Sequence, residues 1–131
     1  MITEDYVSFE VAKLLKEHGF NSKTEMCYLE TNPQLCTSNT YPKDKVIYAP
    51  SLSLALKWLR TLGVFLDIFH YNCGFAPFVW LIFAYNKLEP QKAKTYEEAE
   101  ENALEFILEN WDDIFKVLKD YYKNDSLLPK I

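Results

Sequence analysis

The chain has 131 residues, 49% of them hydrophobic and 16% aromatic, which points to a single domain, 1–131, and excludes wholesale disorder. Its net charge of −5 divides into −2 over residues 1–50, +1 over 51–90 and −4 over 91–131, with Arg60 the only arginine, so no segment supplies the basic face of a duplex-binding module. The longest apolar run, Phe75 to Tyr85, is about half of what a bilayer-spanning helix needs, and the acidic start lacks the features of a secretory signal; a cytoplasmic chain is expected.

The first predicted element is a helix with both ends marked. Ser8 is a good N-cap, Val7 sits at the staple position against Ala12, and Gly19 suits the left-handed residue that closes a helix, with Phe20 falling back on Leu15. Val11, Leu14, Leu15 and His18 share one face. Thr24 to Glu30 reads as a strand by its β-prone residues. Thr31 to Lys45 is polar, carries Pro33 and Pro42, and reads as a long mobile loop with only Leu35 and Tyr41 as anchors. Val46 to Ala49 is a short strand. Ser51 then caps a second helix that runs to Leu62 and stops at Gly63. Its polar stripe, Ser53, Lys57, Arg60 and Thr61, is narrow, so the helix is expected to be buried on most sides.

Val64 to Tyr71 and Phe78 to Tyr85 read as two strands joined by a loop containing Asn72, Gly74 and Pro77. The second is apolar on both faces: Trp80, Ile82 and Ala84 alternate with Val79, Leu81, Phe83 and Tyr85. Lys87 to Lys94 is a polar linker with Pro90. Thr95 and Glu98 form a capping box that opens an acidic helix, and Trp111-Asp112-Asp113 marks a kink or break before a C-terminal helical extension over 111–131. The order α-β-β-α-β-β-α-α implies an α+β, two-layer fold, with one antiparallel sheet of about four strands packed against helices.

Three stretches carry a resemblance: residues 9–20 (FEVAKLLKEHGF), 49–60 (APSLSLALKWLR) and 95–104 (TYEEAEENAL). They resemble a group of small uncharacterised proteins from prophage-like and mobile-element regions of gut anaerobic bacteria. The segment ending in Trp58-Leu59-Arg60 is its most specific part. The resemblance implies a phage-related or mobile-DNA setting and carries no functional residue over; the loop at Cys73 and the tail from Trp111 depart from the group's pattern.

Cys27, Cys36 and Cys73 stand at spacings that fit no zinc finger and no C-x-x-C motif, so reduced thiols are expected, Cys27 among them as a buried small hydrophobe. His70 and Cys73 are close enough in sequence for a thiol and a base to meet at a hairpin tip, although an ordinary turn explains them as well. His18 sits where a helix-end cap is expected. Glu97, Glu98, Glu100, Glu101, Glu105 and Glu109, followed by Asp112 and Asp113, form an acidic ridge that reads either as a solvated face or as a surface for a basic partner. With three glycines and no phosphate-loop or G-x-S-x-G motif, no cofactor, metal or catalytic site is expected.

The aromatic sheet resists a purely structural reading. Phe65, Phe69, Phe78, Trp80, Phe83 and Tyr85 exceed what one covered face requires, so Phe78, Trp80, Phe83 and Tyr85 are expected at an interface. The expected function is a non-enzymatic protein-interaction module, a homodimer or the partner of another protein. The alternative is a small nucleic-acid-linked regulator using Lys43, Lys45, Lys57 and Arg60, and the third option is a small-ligand-binding protein or a cysteine-dependent enzyme.

Overall fold

The structure, a computed structural model, describes residues 5–71 and 74–123. It is of the mixed α+β class, with four α-helices and two small antiparallel sheets of three strands each. The chain forms two compact units, one up to Ala55 and one from Leu56 onward, each with its own sheet.

In the first unit, helix α1 (Phe9–Glu17) begins where Ser8 Oγ accepts the Val11 N–H at 3.2 Å. It ends in a full Schellman motif. Gly19 takes φ 100°, the Phe20 N–H bonds Leu15 O at 2.9 Å, and the Gly19 N–H bonds Lys16 O at 3.2 Å. Val11, Ala12 and Leu15 are buried, and α1 packs on the sheet. That sheet has the order β2 (Asn32–Thr37), β1 (Met26–Leu29), β3 (Val46–Tyr48), with β1 in the middle. Tyr28 of β1 anchors it: the ring meets Phe9 edge-on at 5.5 Å, and its hydroxyl donates to Val7 O at 2.7 Å. A buried phenol with a backbone acceptor is a satisfied polar group, which is why Tyr rather than Phe is tolerated there.

Strand β2 corrects the expectation of a fifteen-residue loop. Residues 32–37 pair with β1 through a tight turn at Glu30-Thr31, and two turns of 3-10 helix, Ser38–Thr40 and Lys43–Lys45, occupy most of the rest. Pro33 marked the stretch as non-strand. Here it sits where the register shifts between Tyr28 and Leu29, in an irregularity of an edge strand, where the missing N–H costs no ladder bond. Ser38 supplies an anchor that polarity concealed. It is buried, its hydroxyl donates to Thr24 O and Glu25 O, and its N–H bonds Glu25 O at 2.9 Å.

Helix α2 (Leu52–Thr61) starts where Ser51 Oγ accepts the Leu54 N–H at 3.2 Å. It closes in a second Schellman motif at Gly63, φ 91°, with the Val64 N–H on Leu59 O at 3.0 Å. The polar stripe is exposed as expected, but Leu54 is in water too, at 42%, so the helix is wetter than its composition implied.

The second unit holds β4 (Leu66–His70), β5 (Phe78–Ile82) and β6 (Gln91–Ala93) in that spatial order. The third strand comes from the stretch read as a linker, so the expected single sheet of about four strands is instead two sheets of three. Helix α3 (Tyr96–Glu109) is capped by Thr95, whose Oγ1 accepts the Glu98 N–H at 3.0 Å. The break falls at Asn110, φ −116° and ψ 30°, and α4 (Trp111–Tyr122) follows. Trp58 stacks on Trp111 at 5.8 Å, and Tyr122 donates its hydroxyl to Gly63 O at 2.9 Å, binding the end of α4 to the turn after α2. Among the described residues no helix is long and apolar enough to cross a membrane.

Candidate functional site

Register decides what the second sheet presents. In the β4–β5 pair, Ile68 faces Trp80 and Leu66 faces Ile82, and this side carries α3: Trp80 is 3% exposed and lies 6.1 Å from Phe106. The opposite side carries the alternate pairs Phe69–Val79 and Asp67–Leu81. The Phe83 N–H bonds Phe65 O at 2.9 Å, which carries the same register past the end of β5 and adds Phe65 and Phe83 to that side. Five apolar side chains therefore line one face. Phe69 is 44% exposed and Phe83 39%, while Phe65, Val79 and Leu81 are half-buried. Asp67 lies within the band, and Lys92 of β6 lies beside Val79 on the same face.

Of the four residues expected at an interface, Phe83 is on this face, 39% exposed, with its ring meeting Tyr121 of α4 edge-on at 5.6 Å. Trp80 is core. Phe78 is half-buried on the α3 side, its ring meeting His70 at 5.0 Å and Tyr96 at 6.1 Å. Tyr85 is also core, and the reason is local. Strand β5 stops at Ile82; Phe83 and Ala84 form a turn, with Ala84 at φ 65° and the Tyr85 N–H on Ile82 O at 3.1 Å. That turn breaks the two-residue alternation and swings Tyr85 onto the covered side. There it lies 6.2 Å from Phe106 and donates its hydroxyl to Asp113 at 2.6 Å. Burial first, then the bond to Asp113, pushes the Tyr85 phenol up to about 12. Asp113 also accepts Lys87 Nζ at 2.9 Å, and the bonds from Lys87 and Tyr85 hold its carboxyl below the ordinary carboxylate range. Phe65, Val79 and Leu81 were legible as strand residues. Selecting them as a surface needed the pairing register, which the sequence alone does not supply.

An open cleft of about 330 Å³ lies between β6 and α3. Trp80, Leu88 and Phe106 line it together with Lys92, Asn102, Glu105 and Glu109. Glu105 and Glu109 share one helix face, and partial burial, followed by the hydrogen bond to Glu109, raises the Glu105 carboxyl. Two members of the acidic ridge, both exposed, thus border the cleft. Their four-residue spacing around Phe106 was the available signal. The arrangement is able to hold a proton between the two carboxyls.

Turning to the remaining candidates, His70 is exposed at the end of β4, while Cys73 and so the His70/Cys73 pair lie outside the described residues. His18 is the C-cap of α1. Lys43 and Lys45 flank a 3-10 turn in the first unit; Lys57 and Arg60 are exposed on α2. Cys27 and Cys36 are directly opposed on β1 and β2, with their sulfurs 3.7 Å apart. Cys27 is fully buried, as expected of it, and burial followed by the contact with Cys36 pushes its thiol up to about 11. Among the described residues no cluster of three or more His, Cys, Asp or Glu side chains is placed to hold a metal ion. Compared with known proteins, the chain matches no protein family, no curated protein and no solved structure.

Proposed function

We propose that this protein is a non-enzymatic interaction module that self-associates through the open face of the β4–β5 sheet. The observation that carries the reading is the row Phe65, Phe69, Val79, Leu81 and Phe83 on the side of the sheet opposite α3, interrupted by Asp67 and flanked at Phe83 by Tyr121. Apolar surface left in water forfeits roughly 25 cal/mol for every Å² that burial would remove. Contiguous apolar patches of this kind mark association surfaces on soluble proteins.

A second copy of the same chain is the partner that fits. Around a two-fold axis one patch meets itself, so every contact made by one protomer is repeated by its partner. Asp67 and Lys92 are the charged side chains that the pairing register places on this face, Asp67 beside Leu81 and Lys92 beside Val79. The phage-related setting that the sequence resemblance implies is compatible with a small self-assembling protein. Light scattering after size exclusion at micromolar concentration is the test. A mass about twice 15.4 kDa supports the proposal, and a monomer across the micromolar range overturns it.

A further inference from the structure

The strongest chemistry outside the open sheet face is the thiol pair in the first unit, and it stands independently of the self-association reading. Cys27 and Cys36 are cross-strand partners in an antiparallel ladder, and their side chains therefore leave the sheet on the same face. The backbone bond from Ser38 to Glu25 identifies that neighbouring pair as hydrogen-bonded, and the alternation along an antiparallel ladder makes Cys27–Cys36 hydrogen-bonded as well. The α-carbons of such a pair stand about 5.5 Å apart. A disulfide requires roughly 4.4–6.8 Å. The sulfurs already approach to 3.7 Å; the β-carbons of an opposed pair stand about 4.5–5.5 Å apart and a disulfide needs about 3.5–4.5 Å, so closure takes side-chain rotation and a small inward shift of the edge strand β2.

We propose that Cys27 and Cys36 are a redox site: a dithiol that a small-molecule disulfide such as oxidised glutathione converts to an intramolecular cross-strand disulfide, and that a thiol reductant restores. The placement assigns the two sulfurs different parts. Cys36 is on the edge strand β2 and partly open to solvent, so it meets the oxidant. Its thiolate attacks one glutathione sulfur, forming a mixed disulfide and expelling the first glutathione. Cys27, buried directly opposite, then loses its proton and attacks the Cys36 sulfur, expelling the second glutathione. The protein gives up two electrons and two protons; the oxidant's S–S bond is cleaved to two thiols. Burial makes the deprotonation of Cys27 the slow part of the exchange.

The product closes the β1–β2 hairpin and fastens an edge strand that Pro33 interrupts. The staple constrains the unfolded chain, so oxidation is expected to raise the melting temperature by about 3–10 °C, reversed by dithiothreitol.

The test is thiol counting and peptide mapping of the full chain after incubation with oxidised glutathione. The three thiols of the chain fall to one, the intact mass drops by about 2 Da, and a peptide linking Cys27 to Cys36 appears. The Cys73→Ser variant, with two thiols at the start, ends with none. In Cys36→Ser no intramolecular link to Cys27 forms. A stable glutathione adduct on Cys36 without the link overturns the proposal, and so does a linkage that consumes Cys73 or a disulfide between two chains.

Discussion

Replacing Tyr122 with Phe removes one oxygen and leaves the ring in place. That oxygen donates at 2.9 Å to the carbonyl of Gly63, fifty-nine residues earlier in the chain, and both groups are buried. The carbonyl belongs to the residue that closes the Schellman motif after α2, so no helix bond replaces the lost partner. Stranding a buried acceptor costs about 1–3 kcal/mol, against a net gain near 1 kcal/mol for an average hydrogen bond; a loss of about 1–2 kcal/mol is expected. Urea unfolding followed by tryptophan fluorescence reads it directly, because Trp58 and Trp111 are stacked in the same unit. Tyr121→Phe is the control. That side chain is 46% exposed, and its replacement is expected to change stability by less than about 0.5 kcal/mol. Titration supplies a second sign. Burial raises the Tyr122 phenol above its ordinary value, so its contribution is complete below about pH 10 and is lost as pH rises through the folded-state pKa. The variant should therefore lose less stability than the parent in alkali. Equal stabilities for Tyr122→Phe and the parent, together with unchanged alkaline slopes, would refute the reasoning.

Ala84→Gly relieves a left-handed alanine, φ 65°, at the turn after β5; after the entropy that glycine adds to the unfolded chain, a gain of about 0.5 kcal/mol is expected in the same urea experiment, and a loss would contradict it. Glu109→Gln removes the carboxylate that raises Glu105. The parent carries a stability term present in acid and lost as pH rises through the raised Glu105 value, and the variant should flatten that slope and gain about 0.3 kcal/mol at pH 7. Amide exchange across 31–45 should be uneven, with Ser38 protected by its bond to Glu25, Tyr41 slowed by its bond to Ser38, and Asn39 and Asp44 faster; uniform fast exchange would mean that β2 does not pair as described.

Much of the fold was legible because its punctuation is local. Ser8, Gly19, Ser51, Gly63 and Thr95 all cap where their neighbours in sequence indicated, since an N-cap hydroxyl or a left-handed glycine needs only the adjacent turn of helix. What escaped the sequence is non-local. Strand β2 is polar because it is an edge with exposed side chains, and only pairing with β1 distinguishes it from a loop. Strand β6 is three residues long, too short for any period to register.

The expected interface residues divide between core and surface for a related reason. The aromatic excess was visible, but dividing it between core and surface required the β4–β5 register and the turn at Ala84. Phe78, Trp80 and Tyr85 go to the covered side and Phe83 to the open one. The thiol pair was hidden in the same way. A spacing of nine residues means nothing until a hairpin turn at Glu30-Thr31 folds Cys36 onto Cys27.

Leu81 sits in the middle of the β4–β5 face through which self-association is proposed, opposite Asp67. Light scattering of Leu81→Glu beside the parent protein, at one micromolar-range concentration and with far-UV circular dichroism to verify folding, tests it most directly. Each protomer would then carry a second carboxylate in a contact built for apolar side chains, facing its own copy across the two-fold. About twice 15.4 kDa is expected for the parent and 15.4 kDa for the folded variant. A folded Leu81→Glu protein that retains the parent's dimeric mass would contradict it.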